Sequence, residues 1–366
     1  MKLSFRPYTL QLKNPFGLAH GTRNTTAIVL TQLEHKGIIG CGEASLPPYH
    51  GETQETVKAF LSKLELEQFE DLNLTPNSIT HPDPMSPGHR SPARRGEPDA
   101  STEIAKILSY VDKIEKGNNA AKASIDIALH DLVGKFLRKP CYELFGIKTA
   151  EKKVSSYTIA IDELKNLPRK IKEAKDFKIL KIKLGTKEDE KIVHIVKNEC
   201  DKKLYADANQ GWNDKSMALE MLYMLSENGF EVVEQPMPVN CADDDMLWLK
   251  EKSPLPLLAD EAVKRFPDLE KAAELFHGIN IKLMKSTGMA EAHKMMVRAR
   301  ELNMKIMLGC MTETSCAILA ASHLSSLADY VDLDGPFLIN NNPFRNPELV
   351  DGCIITPENP GIGLEF

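Results

Sequence analysis

Short apolar segments with strand character recur about every 25 residues between residues 154 and 334. Amphipathic helical patterns separate them, for example at 215–227, 288–301 and 313–327. Strands that alternate with helices in this way pair in parallel, and eight of them close naturally into a barrel. The predicted strands are 154–161, 179–184, 203–208, 231–235, 255–260, 279–284, 305–309 and 329–334. The alternation therefore predicts an α/β fold built on a (β/α)8-type barrel.

A doubly wound open sheet is the competing architecture for this alternation. Its usual functional signatures, a G-x-G-x-x-G turn or a phosphate-binding loop, follow none of the early strands. With 366 residues, the chain is also long enough for a barrel of the usual size and a second domain. The barrel is therefore the preferred prediction.

The rest of the sequence predicts a capping domain of the α+β class beside the barrel. Residues 1–45 alternate apolar and polar side chains like a small antiparallel sheet, with a turn at Lys36-Gly37. Helical periodicity follows at 52–66, 102–115 and 120–138. The predicted domains are an N-terminal capping domain (1–120), the barrel catalytic domain (121–336) and a C-terminal segment that returns to the capping domain (337–366).

Residues 73–101 differ in composition from the sequence on either side. They contain six prolines and almost no large apolar side chains. Such a segment cannot bury enough surface to offset the entropy lost on ordering, so we predict a flexible insertion in the capping domain. A solvated loop is the simplest role for it, and contact with an acidic partner through Arg90, Arg94 and Arg95 is the alternative.

Charge and cysteine content exclude several classes of protein. A net charge of -6 and a pI near 6.0 give no electrostatic reason to expect nucleic acid or a membrane surface as a partner. The seven cysteines include no C-x-x-C pair, which argues against a disulfide scaffold or structural zinc and for a reducing compartment. The N-terminus lacks the apolar core of a signal peptide, and no apolar run approaches the ~18 residues of a membrane helix. We expect a soluble, cytoplasmic protein.

Three carboxylates, Asp207, Glu234 and Asp260, stand at the ends of successive predicted strands. Counted from Lys183, the intervals are 24, 27 and 26 residues, about one strand-helix-strand step each. Because the carboxyl ends of barrel strands form one face, we expect these side chains to converge. Their hard oxygen atoms suit Mg²⁺ or Mn²⁺, and capping of the following helices is the alternative role.

Lys181 and Lys183 lie two residues apart on the second predicted strand. Residues at this spacing share a face, so the two ammonium groups are neighbours. Their repulsion lowers the pKa of one lysine, which can then accept a proton. The alternative is a pair of solvated lysines on an edge strand. Because three strand-end carboxylates follow the pair, the sequence favours a base beside a metal site.

Lys282 and Lys285 follow on the sixth predicted strand, at positions of opposite parity. Only one of them can then face the barrel interior, and Lys285, directly before Ser-Thr-Gly at the strand end, is the better candidate. It would reach the pocket from across the barrel relative to Lys183. Two bases on opposite faces of one carbon are what a stereochemical inversion needs, because one removes the α-proton and the other returns a proton.

Asp332 and Asp334 end the last predicted strand at a spacing of two residues and therefore share a face. A carboxylate pair suits a cationic group, such as a substrate ammonium. A turn-forming Asp-Gly-Pro sequence explains Asp334 but leaves Asp332 unexplained. Glu313 ends the seventh predicted strand, where it is either an acid of the ligand site or the N-cap of the next helix.

Together these motifs resemble the enolase superfamily, and within it the muconate-lactonising-enzyme subgroup. The pair Asp332 and Asp334 and the sequence Gly309-Cys-Met-Thr-Glu313 are similar to those of dipeptide epimerases of the L-Ala-D/L-Glu type. The resemblance covers nearly the whole chain except the insertion at 73–101. The barrel motifs that carry it are Lys181-Ile-Lys183, Asp207-Ala-Asn-Gln-Gly, Glu234-Gln-Pro, Asp260-Glu261 and Asn280-Ile-Lys-Leu-Met-Lys285.

The resemblance implies a role for each strand-end residue. Mg²⁺ would stabilise an enediolate that forms at the terminal carboxylate of the substrate. Lys183 and Lys285 would be the two acid/base residues, with Lys181 tuning Lys183. The implied metal ligands are Asp207, Glu234 and Asp260.

The resemblance also implies a set of substrate-binding residues. Asp332 and Asp334 would hold the α-ammonium of a dipeptide. A capping-domain loop near residues 16–25 would close over the substrate, and Arg23 in that loop would pair with a glutamate side chain, the alternative being a solvent-facing arginine. Thr158, at the end of the first strand, matches a position that lines the pocket in this family.

The leading hypothesis is therefore a Mg²⁺-dependent dipeptide epimerase that serves the salvage of cell-wall peptides. It would invert the α-carbon of the C-terminal residue by a two-base 1,1-proton transfer. The first alternative is a cycloisomerase or an o-succinylbenzoate-synthase-like dehydratase, whose substrates lack the ammonium that the aspartate pair suggests. A non-catalytic, metal-stabilised barrel is the second alternative, but it leaves the lysines without a role. Barrels of this family often assemble, so a homo-oligomer is a further expectation.

Overall fold

The computed structural model describes residues 1–18, 21–48, 51–69 and 100–366, and it begins with an antiparallel sheet. Strand β1 (Lys2–Leu18) pairs with β2 (Gly21–His35), which pairs in turn with β3 (Ile38–Leu46). Lys36 and Gly37 join β2 to β3 with φ angles of 48° and 79°. Two positive φ angles in a two-residue connection are typical of the hairpin turn that matches the twist of paired strands.

Four helices come next in the described part of the chain. They are α1 (Gln54–Leu61), α2 (Ala100–Ile114), α3 (Asn119–Leu137) and the short α4 (Cys141–Leu144). The predicted insertion lies outside the described residues as far as residue 99, and α2 begins two residues earlier than the periodicity suggested. No helix in the described ranges combines the length and apolar character needed to cross a membrane.

Eight parallel strands form the barrel, and they pair in the order in which they occur in the chain. A bridge between Ser155 and Val331 brings the last strand beside the first. This closure confirms the predicted α/β barrel with an N-terminal antiparallel sheet. The strands are β4 (Ser156–Ile159), β5 (Ile179–Lys183), β6 (Lys203–Asp207), β7 (Phe230–Glu234), β8 (Leu257–Ala259), β9 (Gly278–Lys282), β10 (Lys305–Gly309) and β11 (Tyr330–Asp332).

Helices connect successive strands and cover the outside of the barrel. Asp214 caps the helix that follows β6 (Lys215–Glu227), because its side chain accepts hydrogen bonds from the amides of Ser216 and Met217, each at 2.9 Å. The helices are α5 (Leu167–Glu173), α6 (Asp189–Glu199), α7 (Lys215–Glu227), α8 (Asp243–Lys252), α9 (Leu269–Leu275), α10 (Met289–Glu301) and α11 (Ser315–Ser322).

An apolar layer fills the barrel beneath the carboxyl ends of its strands. Its members, which pack on one another, are Ile179, Tyr205, Val232, Leu258 and Met307. Two residues after the first four come Lys181, Asp207, Glu234 and Asp260. Because residues two apart on a strand share a face, each polar side chain stands directly above an apolar one. The strand periodicity therefore sets both the floor of the barrel and the charged layer over it.

The C-terminal segment returns to the N-terminal sheet. It contains β12 (Leu349–Val350) and β13 (Cys353–Ile354), and Ile339 forms a bridge with Leu12 of β1. The amide of Ile362 also donates a hydrogen bond of 2.9 Å to Asp131 of α3. The division into domains at residues 120 and 336 stays a prediction.

Strand β3 and helix α3 approach each other until their backbones touch. A Cβ atom at Gly42 would overlap the carbonyl oxygen of Ser124, and one at Gly40 would overlap that of Ala128. Thr31 on the neighbouring strand donates a hydrogen bond of 3.1 Å to the hydroxyl of Ser124. Only glycine permits this spacing, so the sheet is fixed closely on α3.

Replacement of Gly42 by alanine is expected to destabilise the protein by about 3 kcal/mol, because the new methyl group overpacks a backbone contact. The control is Gly37→Ala in the β2–β3 turn, where no atom lies within 4 Å of an added Cβ. That variant carries only the left-handed backbone strain of about 1–2 kcal/mol. Denaturant unfolding of both variants measures the difference, and equal losses would contradict the proposed packing.

Candidate active site

The three predicted metal ligands converge at the carboxyl ends of β6, β7 and β8. Asp207, Glu234 and Asp260 are at most 4% exposed, and one oxygen atom from each lies within 4.8 Å of the others. Asp207 and Glu234 are direct neighbours across the β6–β7 pair. Three buried carboxylates that converge in this way form the hard, oxygen-only donor set that Mg²⁺ takes in proteins.

The charge state of these carboxyl groups also fits a cation site. Burial, followed by the repulsion of Asp207, raises the pKa of Glu234 to about 8. Burial acts on Asp260 in the same direction, but Lys282 and Lys285 outweigh it and hold the pKa of Asp260 well below its usual value. The cluster therefore depends on nearby positive charge to stay ionised, which is the condition that a divalent ion satisfies.

Lys181 and Lys183 project from β5 into the same cluster, as their spacing predicts. The Lys181 Nζ atom lies 2.6 Å from Glu234 Oε2 and 2.9 Å from Asp332 Oδ2, while Lys183 Nζ lies 2.5 Å from Asp207 Oδ2. Burial favours the neutral amine of Lys181, but Asp332 and Glu234 outweigh it and raise its pKa well above the usual value. The lowered lysine pKa that the spacing of the pair predicts is therefore not found at Lys181.

The structure corrects the choice between Lys282 and Lys285. Strand β9 ends at Lys282, and the chain then turns, so strand parity does not extend to Lys285. Lys282 lines the cavity above the barrel, with its Nζ atom 2.6 Å from Asp260 Oδ2. Lys285 is absent from the described cavity wall. Lys282 therefore replaces Lys285 as the candidate base on this side of the barrel.

Three acceptors account for the position of Lys285. Its ammonium donates hydrogen bonds to the carbonyl oxygens of Asp260, at 2.6 Å, and Asn280, at 3.0 Å, and to the Asp260 carboxylate. Burial lowers the pKa of Lys285, as a base would need, but these contacts hold the amine outside the cavity. Lys285 therefore anchors Asp260 in its place.

Lys183 and Lys282 face each other across the barrel. They lie at the ends of β5 and β9, which are four strands apart in the closed, eight-stranded order. Half of a circuit separates the two strands, and both lysines line the same cavity. The geometry for attack on two faces of one carbon is therefore present, although with a different second lysine from the one predicted.

Asp332 and Asp334 line the same cavity, with Thr158 beside them. Ser156 donates a hydrogen bond of 2.6 Å to Asp332 Oδ1, and the backbone amide of Thr158 donates one of 2.6 Å to Asp334 Oδ2. Burial, followed by the repulsion of Asp332, raises the pKa of Asp334 to about 7. A cation that binds beside Asp334 would relieve this repulsion.

The N-terminal sheet covers the mouth of the barrel. Phe16 and Arg23 are paired residues of β1 and β2, and both line the cavity. The Arg23 guanidinium lies over the Phe16 ring at 5.1 Å and donates a hydrogen bond of 2.8 Å to the hydroxyl of Thr312. Arg23 is thus held against the barrel, whereas the alternative was an arginine that faces solvent.

Neither predicted role of Glu313 agrees with the structure. Its side chain is 1% exposed, accepts a hydrogen bond of 2.9 Å from the amide of Met311 and does not line the cavity. The N-cap of α11 is Thr314, whose hydroxyl accepts from the amide of Cys316 at 3.1 Å. Burial, followed by the repulsion of Glu43, raises the pKa of Glu313 to about 8. Glu313 is therefore a buried acid behind the cavity wall.

Several further residues belong to this site, although no role was predicted for them from the sequence. Asn280 donates a hydrogen bond of 2.8 Å to Glu234, and Asn209 and Glu261 line the cavity. Each of the three lies in one of the barrel motifs: Asn209 follows Asp207, Glu261 follows Asp260, and Asn280 precedes Lys282. That position was a signal for them. No local signal marks Glu43, which contacts Thr314 from 271 residues away in the sequence.

Comparison with family models matches almost the whole of the barrel. The model described as "Enolase C-terminal domain-like" matches residues 163–366, more than half of the chain. A second model, "Mandelate racemase / muconate lactonizing enzyme, N-terminal domain", matches residues 98–146. The model of an N-terminal domain therefore matches ahead of the model of a C-terminal domain along the chain.

Two similar proteins extend the match over the full length. An L-Ala-D/L-Glu epimerase from Bacteroides thetaiotaomicron is 43% identical over 365 residues, which is 100% of this chain and 88% of that protein. An L-Ala-D/L-amino acid epimerase from Pedosphaera parvula is 32% identical over an alignment that covers 99% of this chain and 99% of that protein.

A solved structure agrees in fold. The dipeptide epimerase from Enterococcus faecalis, complexed with Mg and the dipeptide L-Leu-L-Tyr, superposes with a TM-score of 0.84 at 27% identity. The match covers 100% of this chain and 99% of that one. The antiparallel N-terminal sheet and the barrel are therefore arranged as in a solved protein.

The Glu313→Gln variant is expected to become progressively more stable than the wild type as the pH rises from about 5 to about 8. In this range the folded protein holds a proton on Glu313 that the unfolded chain has released, so rising pH destabilises the wild type. Each unit of pKa difference corresponds to about 1.4 kcal/mol, so a relative gain of at least about 1 kcal/mol is expected.

Denaturant unfolding at several pH values measures this gain. Glu190→Gln, at an exposed position of α6, is the control and should show no such trend. A difference between Glu313→Gln and the wild type that does not change with pH would contradict the buried acid.

Proposed function

The chain belongs to the enolase-like mandelate racemase and muconate lactonizing enzyme family, and on this premise we propose a Mg²⁺-dependent dipeptide epimerase of the L-Ala-D/L-Glu type. One observation carries the proposal: Lys183 and Lys282 stand on opposite walls of a cavity that also contains a carboxylate cluster. An enzyme that inverts a carbon centre needs a proton acceptor on one face and a proton donor on the other.

The two lysines exchange roles according to the direction of the reaction. One takes the α-proton of the C-terminal residue, and the other, as an ammonium, returns a proton to the opposite face. Asp207 contacts Lys183 and Asp260 contacts Lys282, so each amine is held at the edge of the carboxylate cluster. Lys181 forms ion pairs with Glu234 and Asp332 and thereby holds these two carboxylates in place beside Lys183.

The residues Asp207, Glu234 and Asp260 are the proposed ligands of Mg²⁺. When bound, the ion supplies positive charge where the terminal carboxylate of the substrate gains electron density after the loss of the α-proton. Asn280 orients Glu234 through a hydrogen bond of 2.8 Å, and Lys285 orients Asp260. These contacts fix the ligand oxygens before any ion binds.

The substrate is proposed to lie between the aspartate pair and the N-terminal sheet. Asp334 and Asp332 would hold the α-ammonium of the dipeptide, with Thr158 against its backbone. Arg23 would meet an acidic side chain of the C-terminal residue from above. The aspartate pair favours a dipeptide over the substrates of a cycloisomerase or of an o-succinylbenzoate-synthase-like dehydratase, which have no ammonium. The cytoplasmic location, the role in cell-wall peptide salvage and the homo-oligomer stay predictions.

Proton NMR of L-Ala-L-Glu with the protein and Mg²⁺ in D2O tests the reaction. The wild type should lose the α-proton signal of glutamate while the signals of L-Ala-D-Glu appear. In Lys183→Ala or Lys282→Ala, inversion should fall by about 10²–10⁴, because one of the two proton transfers loses its acid or base. Each variant should still exchange the α-proton of one diastereomer. One variant should exchange that of L-Ala-L-Glu and the other that of L-Ala-D-Glu, because the remaining lysine reaches only one face of the carbon.

Lys285→Met serves as the matched control. It removes a buried amine that contacts the same aspartate, so weaker Mg²⁺ binding is expected, but inversion should survive at saturating Mg²⁺. If Lys285→Met abolished exchange of one diastereomer while Lys282→Ala did not, Lys285 would be the base. Absence of exchange in the wild type across a panel of dipeptides would overturn the proposed function.

Recognition of the ammonium is tested with Asp334→Asn. Loss of a charge-assisted contact of about 1.5–3 kcal/mol should raise the KM for L-Ala-L-Glu by about ten- to a hundredfold. N-acetyl-L-Ala-L-Glu lacks the charge and should be a poor substrate of the wild type, with a KM that this substitution changes by less than about threefold. Steady-state kinetics with both peptides makes the comparison, and an equal loss for both would exclude Asp334 from ammonium binding.

A further inference from the structure

Strand β3 of the N-terminal sheet reaches the active-site wall through two side chains. Glu43 and Ser45 lie two residues apart and therefore on one face of the strand. Both bind the segment 311–314, which connects β10 to α11. Met311 and Thr312 in this segment line the cavity. The N-terminal sheet thus holds part of the cavity wall from behind.

Glu43 binds the last residue of this segment, Thr314, directly before α11. Its carboxylate accepts hydrogen bonds from the Thr314 amide, at 3.0 and 3.2 Å from its two oxygens, and from the Thr314 hydroxyl. Thr314 caps α11 with its own side chain, and the Glu43 carboxylate also accepts a hydrogen bond from the backbone of Ala317 in the first turn of this helix. The contacts of Glu43 therefore fix where the start of α11 lies relative to β3.

Ser45 and Gly335 fix the middle of the segment from two sides. The Ser45 hydroxyl donates a hydrogen bond of 2.7 Å to the carbonyl oxygen of Thr312. From the side of β11, a Cβ at Gly335 would lie only 2.9 Å from the carbonyl oxygen of Glu313. The segment therefore has little room to move, and the position of Thr312 follows from the position of β3.

Thr312 in turn holds the side chain of Arg23. Its hydroxyl accepts the hydrogen bond of 2.8 Å from the Arg23 guanidinium, and both residues line the cavity. Glu43 is thus connected to Arg23 by its contacts with Thr314, by the backbone from Thr314 to Thr312, and by the hydroxyl of Thr312. Arg23 is the one guanidinium on the described part of the cavity wall.

Hydrogen bonds, and no cation among the described residues, hold the buried carboxyl group of Glu43. Glu43 is fully buried, lies near the equally buried Glu313, and no lysine or arginine among the described residues forms an ion pair with it. Burying an acid without a cation costs free energy, and burial raises its pKa to about 7. Hydrogen bonds from Thr314 and from the backbone of Ala317 offset part of this cost, and together they fix the start of α11 against β3.

We propose that Glu43 is a positioning residue that sets the selectivity of the enzyme for an acidic C-terminal side chain by fixing Thr312 and, through it, Arg23. The inference rests on the proposed function and adds to it a specificity determinant in the N-terminal sheet that touches no substrate. It predicts that loss of the Glu43 contacts weakens recognition of the acidic side chain and leaves the proton transfers alone.

Kinetics with two peptides of nearly equal shape provide the test. The variant is Glu43→Gln, which keeps one acceptor oxygen for the Thr314 amide and removes the second. The KM for L-Ala-L-Glu should rise by about tenfold, while kcat and the KM for L-Ala-L-Gln should change by less than about twofold. Ser45→Ala, which frees Thr312 directly, should shift the two KM values in the same way.

Asp131→Asn is the matched control. Asp131 is also buried and also holds β3, since it accepts a hydrogen bond of 2.8 Å from the amide of Cys41. The hydrogen-bond partners of its carboxylate are Cys41, Lys135 and Ile362, and none of them belongs to the segment 311–314. Loss of stability alone would therefore appear in both variants, but a changed preference for glutamate over glutamine should appear only in Glu43→Gln.

A double-mutant cycle with Arg23→Ala decides whether Glu43 acts through Arg23. In the Arg23→Ala background, Glu43→Gln should no longer change the ratio of the two KM values, because the group that it positions is missing. Equal losses for both peptides, or an undiminished effect of Glu43→Gln without Arg23, would overturn the inference while the epimerase activity stands. A wild type that turns over neither peptide would instead overturn the proposed function, and the inference with it.

Discussion

Mutual neutralisation of buried carboxylates and ammonium groups at the carboxyl ends of the strands is the interaction on which the rest of the site depends. Asp207, Glu234, Asp260 and Asp332 are almost completely buried, and each lies within 4 Å of a lysine amine. A charge in such surroundings is tolerated only when an opposite charge is close. The barrel meets this condition because its strands deliver acids and lysines to one layer, directly above an apolar floor. Any change to one member therefore alters the ionisation of the others.

Much of the site follows from strand periodicity, which is a local property of the sequence. The metal ligands and the Lys181–Lys183 pair follow from it, because a residue at the end of an apolar strand and one two positions earlier share the inward face. The same rule failed for Lys285, because the strand ends at Lys282 and a turn brings the later lysine behind Asp260. Periodicity still predicts the orientation of Asp260, one residue past the end of β8, but it no longer holds for Lys285, three residues past the end of β9.

Contacts between distant parts of the chain were beyond the reach of local patterns. Glu313 was expected to be a ligand or a helix cap, but the acid that faces it, Glu43, comes from a strand 270 residues earlier. Such a pair becomes visible only when the N-terminal sheet has been placed on the barrel. Arg23 lies between these two cases, since family resemblance suggested its role and the structure shows the hydroxyl that holds it. The expected insertion at 73–101 lies outside the described residues except at its C-terminal end.

The glycine contacts between β3 and α3 have a consequence for the evolution of this fold by recombination. Selectivity is proposed to reside in the N-terminal sheet and proton transfer in the barrel, an arrangement that invites the exchange of whole segments between relatives. The backbone contact at Gly42 and Ser124 limits where such a crossover can fall, because a foreign sheet would have to meet the surface of α3 without a gap or a clash. The C-terminal segment adds a second constraint through Asp131. The heritable module is therefore the sheet together with α3 and the tail, and a functional chimera would inherit all three from one parent.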